Sequence, residues 1–90
     1  MRSLAIEEKL QKILEKISKK DKVLYQAFQR KTEEILVCSD VNHYKNLRKP
    51  LQHLKRVHVL GPFVLTFRYI ESEDKIILYS LDHHDRIYQL

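Results

Sequence analysis

The chain has few of the residues that break or cross-link structure. Its 90 residues include one Cys, one Gly, two Pro and no Trp. A single Cys excludes an internal disulfide framework and a cysteine-rich zinc module, and it fits a reducing compartment. So little Gly and Pro excludes a collagen-like or loop-dominated chain. It also leaves no glycine loop to cradle a nucleotide phosphate, so no nucleotide cofactor and no small-molecule cofactor is expected. No apolar run is long enough to span a membrane. The opening Met1-Arg2-Ser3-Leu4-Ala5-Ile6-Glu7-Glu8-Lys9 turns charged too soon for a secretory signal, which makes a cytoplasmic location the expectation.

Acidic residues are missing from one long stretch. Residues 41–70 hold no Asp or Glu but carry Lys45, Arg48, Lys49, Lys55, Arg56 and Arg68. The formal net charge is +5, so the whole excess sits in this third of the chain. All five His (His43, His53, His58, His83, His84) lie after residue 42. A concentrated positive segment beside titratable imidazoles suits a polyanionic partner. A solvated basic face with no specific ligand is the alternative that charge alone leaves open.

At 43% hydrophobic and 32% charged, the chain has enough apolar material for one core and an ordinary solvated surface, so a single domain over 1–90 is expected. Ile6, Leu10, Ile13, Leu14 and Ile17 recur at helical spacing. Asp21 is placed to cap a second helix, which runs to about residue 38 with Leu24, Ala27, Phe28 and Ile35 inward. Residues 39–55 have no clean period and read as an irregular connection, and Pro50 stops any helix before it. Residues 56–60 and 63–70 alternate as strands and 75–81 is a β-branched and aromatic strand, with Gly61-Pro62 and Glu71-Ser72-Glu73-Asp74 as turns. The strand over 75–81 is apolar on both faces, as a central strand would be. Residues 86–90 suit one helical turn. Helices first and strands afterwards predict an α+β fold, with an N-terminal helical hairpin packed on a twisted antiparallel sheet.

Arg56 and His58 are two apart on a strand and so project from one face. The segment from Asp82 starts where the last strand ends, and neighbouring strands can bring His83 or His84 toward His58. Two imidazoles and several cations suffice for RNA cleavage without a metal. One His takes the ribose 2′-hydroxyl proton, another protonates the leaving 5′-oxygen, and Arg or Lys neutralises the phosphoryl oxygens. Asp85 is placed to orient an imidazole. Tyr88, four residues past His84, is placed to stack on a base or position the phosphate. His83-His84-Asp85 looks like a metal cluster, but successive side chains of an extended chain point opposite ways, so no metal site is expected. Each of these residues also has a structural reading: surface hydrogen bonding for the His, and packing for Tyr25, Tyr44, Tyr69, Tyr79 and Cys38.

Taken in order, Lys19-Lys20-Asp21-Lys22, Lys31-Thr32-Glu33-Glu34-Ile35, His43-Tyr44-Lys45-Asn46-Leu47-Arg48, Lys55-Arg56-Val57-His58-Val59, Phe63-Val64-Leu65 and Asp82-His83-His84-Asp85-Arg86-Ile87-Tyr88 resemble toxins of the RelE/ParE superfamily. They are most similar to its archaeal RelE-like and YafQ-like branch. The resemblance implies a type II toxin with a cognate antitoxin as partner. It implies cleavage of mRNA on the ribosome, leaving a 2′,3′-cyclic phosphate and a 5′-hydroxyl. By position, Arg56, His58, His84 and Tyr88 match the family's catalytic positions, and Lys45, Arg48, Lys49 and Lys55 fall on the RNA-contacting surface. Val64 departs from the pattern, because RelE nucleases carry an Arg on that strand. This departure keeps open a non-catalytic alternative, in which the same fold poisons DNA gyrase or only binds an antitoxin. A general RNA-binding protein is a third option.

Overall fold

The computed structural model describes residues 2–87. Strand β1 (Ser3–Ile6) leads into helices α1 (Glu8–Lys20) and α2 (Lys22–Val37). A 3-10 turn (Val41–His43) and a long connection lead to β2 (Lys55–Leu60), β3 (Phe63–Ile70), β4 (Lys75–His83) and the short helix α3 (His84–Ile87). No helix among the described residues is long and apolar enough to cross a membrane.

The helical hairpin turns on one residue. The Asp21 N–H donates to Ile17 O at 2.8 Å, closing α1, and Asp21 Oδ1 accepts from Leu24 N at 3.1 Å, opening α2. One residue thus serves both helix ends, its backbone N–H capping a carbonyl at the end of α1 and its carboxylate accepting a donor at the start of α2. Lys19 and Lys20 fall in the last turn of α1, where the helix dipole favours cations. Of the periodic residues, Leu10 and Leu14 are buried, while Ile6 belongs to β1 and Ile13 stays largely exposed.

The sheet order is β1-β4-β3-β2. Strands β2, β3 and β4 form the expected antiparallel meander, with β4 central. The first pair corrects the expectation of a purely antiparallel sheet: β1 runs parallel to β4, Ser3 opposite Lys75 and Ile6 opposite Leu78. Four residues are too few to show a period, and the direction of pairing is set by the path through the hairpin rather than by the strand itself. Arg2 fixes this edge. Its guanidinium lies 2.9 Å from Asp74 Oδ1, donates to Leu36 O at 3.1 Å at the end of α2, and sits over the Tyr69 ring.

The hairpin covers one sheet face. Leu10, Leu14, Phe28 and Ile35 pack there on Leu65, Phe67, Ile76, Leu78 and Leu81. The connection begins on this side. Tyr44 meets Phe67 edge-on, with centroids 5.6 Å apart, and its hydroxyl donates to Glu34 Oε2 at 2.8 Å. That bond holds the Glu34 carboxyl below the usual carboxylate range, against the cost of desolvation and with help from Lys31. Burial, and then the same bond, push the Tyr44 hydroxyl up.

The chain then passes the outer edge of β2 and reaches the opposite face, where Leu47, Leu51 and Leu54 close over Val64. Val64 and Leu65 are neighbours on a strand, so these two apolar clusters lie on opposite sides of the sheet.

Because the Glu34 carboxyl titrates lower in the folded state, its stabilisation is present above its unfolded value and is lost as pH falls through the folded one. Glu34→Gln should therefore lower Tm near neutrality. It should also shrink the fall in Tm between about pH 5 and about pH 3 relative to wild type, read by differential scanning calorimetry. An unchanged acid-side fall would count against this bond.

Candidate active site

The sheet face opposite the hairpin carries the polar residues. Register places Arg56, Thr66 and Ser80 in one row across β2, β3 and β4, and His58, Val64 and Asp82 in the next. Residues directly opposite one another share a face, so Arg56 and His58 project on the same side, as their spacing predicts. Thr66 is buried and its hydroxyl meets that of Ser80. His58 is exposed and makes no side-chain hydrogen bond or ion pair among the described residues.

The basic connection forms one wall of this face. Arg56 N donates to Lys45 O at 2.9 Å and Leu47 N to Leu54 O at 2.8 Å, so the segment lies along β2 and covers its open edge. Lys45, Arg48 and Lys49 are exposed upon it. Lys55 is not, which corrects its expected place among the surface cations. It is only 8% exposed, and its ammonium donates to Tyr44 O at 3.2 Å and Asn46 Oδ1 at 2.8 Å. Its charge is used internally, bracing the base of the connection. Val64, where an Arg was the family expectation, is fully buried under Leu47 and Leu54. It serves as the apolar seat of that connection.

The C-terminal histidines stand at the end of the sheet where β2 gives way to β3. Gly61 has φ +54°, a conformation that suits Gly, and forms the tight turn there with Pro62. His84 N donates to Pro62 O at 2.9 Å, which ties the start of α3 to that turn. His84 Nε2 lies 2.9 Å from Asp85 Oδ1, which puts a carboxylate beside the ring. The His84 ring stacks on His83, with centroids 4.8 Å apart, and His83 meets Phe63 edge-on.

Arg56 with His58, and His84 with Asp85, are therefore each brought together. His58 and His84 share one end of the sheet without touching. Their strands are two spacings apart, roughly 9–10 Å. Tyr88 lies outside the described residues. Thr66 and Ser80 belong to the same face and were not singled out in the sequence.

No family model matches the chain. It is 45% identical over 89 residues to the Methanocaldococcus jannaschii protein named "Putative toxin RelE4", covering 99% of this chain and 93% of that one. The chain belongs to the RelE toxin family.

Solved RelE-fold structures agree with it in architecture. A metal-bound toxin from Helicobacter pylori matches this RelE-family chain with a TM-score of 0.77 at 18% identity, over 97% of this chain and 99% of that one. The toxin–antitoxin complex RelBE of E. coli matches with a TM-score of 0.70 at 13% identity, over 92% of this chain and 96% of that one. Identities this low speak to the fold alone. The family assignment makes this chain a toxin of the toxin–antitoxin type.

Lys55→Met keeps the stem of the side chain and removes the ammonium, leaving two acceptors unpaired. It should cost about 1–3 kcal/mol of stability by denaturant titration. It should also expose residues 45–54 to limited proteolysis before the rest of the chain is cut. Uniform cleavage kinetics with unchanged stability would remove Lys55 from this bracing role.

Proposed function

We propose that this RelE-family toxin is an endoribonuclease that cleaves mRNA on the ribosome. The observation that carries the reading is the docking of the acid-free connection, with Lys45, Arg48 and Lys49 exposed, beside the sheet face that bears Arg56 and His58. The loop cations and Arg56 hold the phosphodiester and neutralise charge as it gathers on the non-bridging oxygens. A ribose and its 3′-phosphate lie between His58 and His84. One imidazole takes the 2′-hydroxyl proton, the oxygen attacks phosphorus in line, and the 5′-oxygen departs with a proton from the other. The products are a 2′,3′-cyclic phosphate and a 5′-hydroxyl. Asp85 holds the His84 ring from 2.9 Å away. Tyr88 stacks on or positions the substrate. Lys55 acts through the shape of the loop.

The partner is a cognate antitoxin, as in the RelBE complex whose toxin shares this fold. A short chain with acidic or amphipathic segments would cover the +5 domain and neutralise its exposed loop.

Buried Val64 favours one second reading. With an apolar seat where an Arg was expected, the fold poisons DNA gyrase without cutting RNA.

The experiment is translation in vitro with mapping of mRNA ends. Cleavage should appear with wild-type protein and fall at least about 100-fold in His58→Ala and in His84→Ala, the lower bound for losing a general acid or base. Cleavage that survives in both variants would remove this site. Inhibition of gyrase supercoiling with mRNA left intact would replace the nuclease with the second reading.

A further inference from the structure

The end of β4 carries a convergence that acid–base chemistry does not use in full. His83 Nδ1 lies 3.6 Å from Asp85 Oδ2, and His84 Nε2 lies 2.9 Å from Asp85 Oδ1. One ligand atom from each of the three residues falls within 4.8 Å of the others. In an extended chain these neighbouring side chains would point to opposite faces. Strand geometry ends at His83 and helical geometry begins at His84, and this change of backbone turns the two rings onto one side, stacked at 23°.

The nitrogens have the right chemistry. The Asp85 N–H donates to His83 Nδ1 at 3.3 Å, a long bond that an ion at this nitrogen would replace. A transition metal needs the lone pair of a neutral imidazole nitrogen. Ligands at about 2.0–2.1 Å around a tetrahedral ion stand about 3.3 Å apart; His84 Nε2 stands 2.9 Å from Asp85 Oδ1 and His83 Nδ1 3.6 Å from Asp85 Oδ2, so a small turn of the carboxylate brings one oxygen into reach of both rings. The third edge lies within the same 4.8 Å, and closing it to tetrahedral spacing requires the rings to rotate about their side-chain bonds. Arg86 pairs with Asp82 at 3.5 Å and leaves the Asp85 carboxylate to the imidazoles. The three side chains are 39%, 44% and 67% exposed, open enough to admit an ion and leave it a solvent position.

We propose that His83 Nδ1, His84 Nε2 and an Asp85 oxygen form a three-ligand site for a borderline divalent transition metal of the Zn²⁺ class. Occupancy takes the His84 lone pair, so a loaded chain is arrested as a nuclease; that consequence, unlike the site itself, rests on the function proposed above.

The test is a Zn²⁺ titration of the full chain against a chromophoric chelator, with long-range ¹H–¹⁵N spectra of the rings. One equivalent should bind, and affinity should fall at least about tenfold in each of H83Q, H84Q and D85N. Circular dichroism melts check that these variants fold. The ring nitrogens of residues 83 and 84 should shift while those of residue 58 stay in place. C38S should bind as wild type does, which excludes a site built on the Cys38 thiol and the His43 ring 3.5 Å from it. Binding that is absent, that persists in folded D85N and H83Q, or that is lost in C38S overturns the site.

In the cleavage assay one equivalent of Zn²⁺ should suppress product at least tenfold, and chelator should restore it. Stoichiometric binding with cleavage unaffected overturns the arrest. A chain that never cleaves RNA defeats the nuclease reading and leaves the titration to decide the site.

Discussion

The polar face of the sheet depends on a charge placed out of solvent. Lys55 begins β2, and its ammonium lies beneath the connection it supports, bonded to Tyr44 O and Asn46 Oδ1. An ammonium in that position is tolerated only while its acceptors are present. Raising the connection would strand the cation and two acceptors together. Leu47, Leu51 and Leu54 add apolar closure over Val64. Three leucines on one valine make a small core, and small cores alone do not order long segments against the entropy of the chain. The polar anchor makes up the difference, so loop and strand behave as one unit.

That unit places the charge of the molecule. The connection contains no acid, and its exposed cations stand on the β2 side of the face that carries Arg56 and His58. Glu34, the nearest acid bonded to the connection, is engaged by the Tyr44 hydroxyl and by Lys31, 3.2 Å away. It therefore supports the loop from the far side of the sheet and does not oppose the positive face. At physiological ionic strength a charged cluster is felt over about 8 Å, so the pull of these cations on a polyanion is confined to their own side of the molecule.

Much of this was legible in the sequence, for identifiable reasons. The helical hairpin followed from apolar spacing and from Asp21, whose capping is a local interaction. The meander followed from alternation, and the central place of β4 from apolar residues on both of its faces. Arg56 and His58 share a face because a two-residue period is a property of any strand. What stayed hidden depends on contacts distant in the chain. β1 takes its direction from β4, more than 70 residues later. Lys55 reads as one more cation in a basic run until its acceptors at residues 44 and 46 are placed over it. Val64 reads as a lost Arg until the leucines of the connection are seen to close on it.

The boundary between β4 and α3 shows how narrowly such inferences turn on the backbone. A strand continued by two residues would send His84 and Asp85 to opposite faces, with no carboxylate beside the ring. The chain instead bends at His84, held by the bond to Pro62 O at the β2–β3 turn. The Asp82 carboxylate supports the bend, accepting from His83 N at 2.7 Å. The backbone at the start of α3 is thus held by two contacts, one of them to a turn that Gly61 makes possible. Whatever His84 Nε2 holds, a proton or an ion, it holds where Asp85 can share it, because the polypeptide has already fixed the angle between them.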